Sequence, residues 1–164
     1  MSVFNGPKPE VREFESIGDE CTGVAEWLKA RMAEGIAPHE CGVFVRSGAE
    51  LARARDAVVA AGAPCRILDD TVTTESGSVA AGTMHLAKGL EFRAVAVMAC
   101  DDEILPSQAR IETVGDTGDL EDVYNSERSL LYVACTRARE HLLVTAVEPQ
   151  SEFLDDLIGA GRPR

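Results

Sequence analysis

Residues 94–100, AVAVMAC, are apolar without a break. The run is too short for an ordinary helix and lacks the alternation of a strand with one face in water. A run of this kind suits a strand covered on both faces, and such strands belong to parallel sheets flanked by helices. The rest of the chain fits that demand. Residues 11–14 (VREF) read as a short strand, and from Cys21 onward Val24, Leu28 and Met32 recur at helical spacing, with Asp19 as the expected N-cap and Gly35 as the stop. Residues 42–45 (GVFV) read as a buried strand, and residues 49–61 as a helix that turns its arginines outward and ends at Gly62. Residues 64–68 return as a strand. After the loop DDTVTTESGS come SVAAGTM and the opening run, then a helix over 120–138, a strand over 141–147 and a short helix from Ser151. Strands alternating with helices predict an α/β domain with a mostly parallel sheet.

At 164 residues the chain is about one domain long. It is expected to be a single domain over 1–164, with its core at about 11–147 and a C-terminal helix and tail over 148–164. Trp27, Phe44 and Tyr132 are expected in the core. No apolar stretch reaches the roughly 18 residues of a membrane span, and the N-terminus lacks a signal peptide's basic and apolar regions. A cytoplasmic protein with no membrane partner, monomeric as an isolated domain, is the expectation. The five cysteines, Cys21, Cys41, Cys65, Cys100 and Cys135, form no CxxC pair, and the three histidines, His39, His85 and His141, share no HxH or HxxxH spacing. No metal held by protein side chains is expected, and the cysteines read as small core hydrophobes. The net charge of -12 excludes a protein that grips phosphates over its whole surface, so any nucleic-acid contact has to be local or shared with another domain. The crowded acids Asp101, Asp102, Glu103, Glu112, Asp116, Asp119, Glu121 and Asp122 are expected in a solvated loop.

Two stretches carry chemistry. TMHLAKGLEF (residues 83–92) sets a His, a Lys and a Glu between apolar runs, and ERSLLYVACTRAR (127–139) ends an apolar helix in arginines. Together with VAVMACDDEILP between them, they closely resemble motifs V, Va and VI of UvrD/Rep-type superfamily 1 helicases, in the same order. VFVRSGAELARARDAVVAAGAPCRI looks like the strand, helix and strand that precede motif V in that family, so the resemblance runs over most of residues 11–147.

The resemblance implies a RecA-like domain of the P-loop NTPase type without a Walker A loop, the C-terminal motor half of an ATP-dependent DNA helicase. In such a motor ATP, with Mg2+, lies between two RecA-like domains and is bound mainly by the N-terminal one. An arginine from the C-terminal half then touches the γ-phosphate and stabilises transition-state charge. By match to the family's TRA signature that catalytic residue is Arg137. The competing reading of Arg137 is a surface charge at a helix end. The resemblance assigns Glu91 to the ribose of ATP and puts Thr83 and His85 where the family touches single-stranded DNA. Carboxylates accept from ribose hydroxyls, and Thr and His donate to phosphate oxygens, so the residue types suit those tasks. Gly89 would let the backbone turn close to a ligand. Lys88 matches the motif's basic position, as a nucleotide contact or a bridge across the cleft. A bland alternative is a polar loop in which Lys88 and Glu91 form an exposed ion pair.

Departures from the family matter equally. The sequence has no GxxxxGK[ST] loop and no Walker-type acidic pair, so the partners implied are an N-terminal RecA-like domain and single-stranded DNA, and the chain alone is expected to be inactive. The arginine of motif IV in an NYRS-like setting is absent, which places the expected start after it. Ser126 and Ser129 stand where the family more often has an acid and a second arginine, which puts the ion pairs around motif VI in doubt. Only residues 69–81 link the preceding strand to motif V, where many members insert a domain. Arg46, at a strand's carboxyl end, is open to DNA contact, helix capping or an ion pair, while Arg128 is expected to pack and bond internally. The reading from another class is a stand-alone helicase-like module that binds protein or nucleic acid without turnover. A nuclease subunit would need a motif these residues do not show.

Overall fold

The computed structural model describes residues 9–69 and 77–155. Six strands form one sheet: β1 (Glu10–Phe14), β2 (Cys41–Val45), β3 (Cys65–Ile67), β4 (Val79–Thr83), β5 (Phe92–Val97) and β6 (Ala138–Val147). Their order is β1-β6-β5-β2-β4-β3, and every neighbouring pair is parallel. Helices α1 (Ile17–Ala33) and α2 (Leu51–Ala60) cover one face, α4 (Thr117–Cys135) covers the other, and the short α3 (Gln108–Glu112) precedes α4.

The central strands serve both faces at once. In β2, Val43 and Val45 pack with Val24, Leu28 and Val58 under α1 and α2, while Phe44 between them joins Leu131 and Ala134 of α4. The same alternation divides the opening run, with Ala94, Ala96 and Met98 on the first face and Val95, Val97 and Cys100 on the second. Gly42 has no room for a larger residue, since an added Cβ would lie 2.9 Å from the ring of Phe92. That ring also meets Phe44 edge-on at 5.8 Å, which anchors the start of β5.

Several boundaries differ from expectation. The α1 N-cap is Ser16, whose Oγ accepts from the Asp19 amide at 3.1 Å, so Asp19 is a first-turn acid and not the cap. Helix α4 starts and ends three residues earlier than expected because Asp116 caps it, accepting from the Asp119 amide at 2.9 Å. Ala138 therefore opens β6, pairing with Phe92. The acids after residue 115 are thus the cap and first turns of a helix rather than a loop, where the dipole favours them. Tyr132 is 66% exposed, because the buried stripe of α4 runs through Glu127, Leu131, Ala134 and Cys135 and the next residue points away. Trp27 and Phe44 are in the core, as expected. All five cysteines are free, and burial pushes the Cys41 thiol up to about 11 and the Cys135 thiol up to about 12.

The arginines of α2 do not all face outward. Arg55 does, but Arg53 falls on the buried stripe with Ala54, Ala57 and Val58. Its Nε donates to Oε1 of the fully buried Glu20 at 2.5 Å, and its terminal nitrogens donate to Asp101 at 3.1 and 3.0 Å. The second Glu20 oxygen accepts from the Ala99 amide at 3.0 Å and from Thr145 Oγ1 at 2.7 Å, and Asp101 accepts from the Val147 amide at 2.7 Å. Asp101 is consequently a structural residue and not part of a solvated loop. The network joins α1, α2, β6 and the segment after β5, where Ala99 adopts φ +60°, a conformation that costs a non-glycine residue about 1–2 kcal/mol. Among the described residues no helix is long and apolar enough to cross a membrane.

Removing one member of a buried ion pair strands its partner, at about 3–5 kcal/mol. Glu20→Ala should lower the unfolding free energy by that amount in urea denaturation, and a loss below about 1 kcal/mol would show that water or rearrangement replaces the carboxylate.

Candidate functional site

Because all strands point the same way, their carboxyl ends line one edge of the sheet and their amino ends the other. Thr83 ends β4 opposite Val45 at the carboxyl edge. Phe92 begins β5 two residues before Ala94, which lies opposite Cys41 at the amino edge. Residues 84–91 therefore run back along the sheet over about six residues of strand, roughly 20 Å. Motif V is not one cluster. Thr83 and His85 stand near one edge and Glu91 at the other, with Lys88 between them.

The returning segment lies against α4. A turn of 3-10 helix, Met84–Leu86, leads into a β-turn closed by the Leu90 amide donating to Ala87 O at 3.1 Å. Gly89, at its third position, has φ +85°, the sign a type II turn requires there. An added Cβ at Gly89 would meet nothing within 4 Å, so conformation and not space demands glycine. Met84, His85 and Lys88 face Ser126, Ser129, Leu130 and Val133 of α4 across a cleft of about 310 Å³. His85, Lys88 and Glu91 are exposed and make no hydrogen bond or ion pair with the described residues. The Lys88–Glu91 pair therefore does not form among them.

Arg137 sits where α4 hands over to β6. Its carbonyl accepts from the Phe92 amide at 2.9 Å, and its Nη1 donates to Leu90 O at 3.3 Å, so the end of motif VI is stitched to the end of motif V. Glu91 lies between those two contacts. The half-buried guanidinium also donates from Nε to Val133 O at 3.0 Å and from Nη2 to Thr136 Oγ1 at 2.9 Å.

At the opposite, carboxyl edge, Arg46 is 7% exposed and faces inward from the end of β2. Its Nε and Nη2 grip the two oxygens of the fully buried Glu127 at 2.7 and 2.5 Å, which settles Arg46 as an ion-pair residue. Glu127 also accepts from the Ser107 amide at 2.6 Å and from Arg110 Nη1 at 2.7 Å, and that nitrogen lies 2.8 Å from Ser126 Oγ. Ion pairing around motif VI thus persists with serine at 126. Burial raises the Glu127 pKa, but the bonds from Arg46, Ser107 and Arg110 outweigh it and hold the carboxyl below its ordinary value. Arg128 packs its guanidinium over Phe153 at 4.9 Å.

Sequence reasoning missed Glu127 and Thr136. Glu127 could have been found, since a glutamate on a helix's apolar stripe needs a partner. Thr136 gave no separate signal, because a threonine at a helix end that bonds a carbonyl one turn back, here Val133 O, looks the same in sequence whether or not it also accepts from Arg137.

Comparison with known proteins places these residues in a family. The profile of the UvrD-like helicase C-terminal domain matches residues 68–149. A probable DNA helicase II homolog of Rickettsia conorii is 37% identical over 83 residues, 51% of this chain and 12% of that protein. The ATP-dependent DNA helicase PcrA of Staphylococcus aureus is 42% identical over 95 residues, 58% of this chain and 11% of that protein. The chain thus spans about an eighth of the length of such relatives. Among solved structures, the C-terminal domain of a possible DNA helicase from Lactobacillus plantarum WCFS1 superposes with a TM-score of 0.67 at 25% identity, covering 92% of this chain and 80% of that one. The C-terminal domain of the DEAD-box protein Dbp5, at 14% identity and a TM-score of 0.56, shares the fold.

The depressed Glu127 pKa has a definite sign. The carboxylate contributes stability above its unfolded value, near 4.5, and that contribution is lost as pH falls through the lower folded value. Glu127→Gln should cost about 3 kcal/mol or more at pH 7, with the gap to wild type closing below pH 4.5. A gap constant from pH 7 to pH 3 would contradict the ionised pair.

Proposed function

Because the chain belongs to the UvrD-like helicase C-terminal domain family, we propose that it is the second RecA-like half of an ATP-dependent DNA helicase motor. An N-terminal RecA-like domain would complete its nucleotide site. The observation that carries this reading is that Arg137 is bonded at the amino edge to residues 90 and 92, on either side of Glu91, where two returning connections end side by side. A fixed guanidinium near a carboxylate that has no partner among the described residues suits a nucleotide, the one for phosphate oxygens and the other for ribose hydroxyls. Gly89 shapes the turn that presents Glu91. Lys88, exposed over the cleft, is free to contact the nucleotide or the facing domain.

ATP is the substrate in this proposal. Among the described residues no group of three His, Cys, Asp or Glu side chains is placed to hold a metal ion. Mg2+ would come with the phosphates on the N-terminal half, along with most phosphate contacts. Arg137 would add charge stabilisation to the departing γ-phosphoryl group. Single-stranded DNA would run at the opposite edge, where the Thr83 hydroxyl and His85 ring can donate to its backbone. Residues 84–91 then connect the two ends physically. A strand pulled at Thr83 would displace the segment whose Leu90 carbonyl holds Arg137, which supplies a route from DNA contact to the nucleotide.

In the complete ATPase, Arg137→Ala should leave nucleotide affinity nearly intact and lower DNA-stimulated turnover by about 10³–10⁵. Arg137→Lys should rescue poorly, because a point charge cannot reproduce the planar fork. Near-normal turnover of the alanine variant in a steady-state assay would overturn the assignment and leave Arg137 as a helix-end charge.

A further inference from the structure

A guanidinium carries five N–H groups in one plane. Three of those on Arg137 are committed to its own chain: Nε to Val133 O at 3.0 Å, Nη1 to Leu90 O at 3.3 Å, and Nη2 to Thr136 Oγ1 at 2.9 Å. One N–H remains on each terminal nitrogen. A pair of this kind is what bidentate contact with two phosphate oxygens uses. The arginine is thus held through all three of its nitrogens, with donor capacity left on the two terminal ones.

The single side chain among those three acceptors is Thr136. Its hydroxyl donates to Val133 O at 2.9 Å, the carbonyl that also receives Arg137 Nε. With its proton spent there, Oγ1 turns a lone pair to Arg137 Nη2. Threonine in a helix divides between two χ1 rotamers because its hydroxyl can bond a carbonyl one turn back, and the Val133 bond selects one of them. The half-buried, β-branched residue is therefore a stiff bracket at the α4 C-terminus. Serine would keep the bonds with less stiffness, and valine would keep the shape without them.

We infer that Thr136 is a positioning residue for Arg137, fixing the plane of its guanidinium so that the two remaining N–H groups meet the transferring phosphoryl group already oriented. The inference rests on Arg137 acting at the nucleotide, as proposed above. Thr136 touches no substrate. Its effect is preorganisation, so it shows in turnover and not in binding.

The test is a double-mutant cycle in the complete ATPase, with turnover, KM for ATP and nucleotide affinity measured well below the melting temperature. Thr136→Val should lower kcat by about 10-fold or more, since misplacement of about 1 Å can cost about 10², with KM and affinity within about twofold. Thr136→Ser should stay within about threefold of wild type. In an Arg137→Ala background, Thr136→Val should cost nothing further. If it costs as much there as in wild type, or if serine fails as badly as valine, the positioning role is overturned. If Arg137→Ala abolishes turnover while Thr136→Val is near normal, only the Thr136 inference falls. If Arg137→Ala is itself near normal, the proposed function falls first. Should the valine variant not fold, Thr136→Ser decides alone, and turnover below about a tenth of wild type overturns the inference.

Discussion

In a sheet whose strands all run parallel, each connection has to carry the chain back from the carboxyl edge to the amino edge. That constraint builds the candidate site. The β4–β5 connection returns through residues 84–91, and the β5–β6 connection returns through α4, over the same face of the sheet. Both arrive at the amino edge side by side, joined by Phe92 N–H to Arg137 O and Arg137 Nη1 to Leu90 O. Glu91 and Arg137, far apart in sequence, become neighbours because two adjacent parallel strands begin there.

Two buried glutamates, one on each face, hold the intervening segment. Glu20 takes Arg53 and the Ala99 amide from the α1 side, and Glu127 takes Arg46 and the Ser107 amide from the α4 side. Residues 99–107 are pinned from both directions, with Asp101 adding a third fastening to Arg53 and Val147. Exchanging a buried ion pair for well-packed apolar residues is often neutral or stabilising. Here the carboxylates also satisfy buried amides, which an apolar pair would leave without acceptors. Their contribution is to fix where a loop runs.

Much of this was legible in the residues. The apolar run of 94–100 announced a strand covered on both sides and that of 42–45 a buried strand, and the spacing of TMHLAKGLEF and the TRAR ending marked the two segments that meet. What stayed hidden depended on partners distant in sequence. Nothing local says that Arg53 turns inward while Arg55 turns outward, since that is decided by Glu20 and Asp101 on other elements. Asp116, not Leu120, decides where α4 begins, and the resulting phase puts Tyr132 in solvent. The split of motif V between two edges was invisible too, because spacing along a chain does not tell a compact cluster from a segment stretched across a sheet. Thr136 was illegible because one of its partners, Val133 O, is a backbone atom that any residue would supply, and the other, the Arg137 guanidinium, is turned to it only by the fold.

The central claim is that this chain carries half of a nucleotide site. The most direct measurement is steady-state ATP hydrolysis by the 164-residue chain alone, by the N-terminal RecA-like half alone, and by the two titrated together with single-stranded DNA. The account predicts no turnover by the chain alone and a saturable rise when the halves are combined. ATP hydrolysis by the chain alone, or a mixture no faster than its separate parts at any ratio, would contradict it.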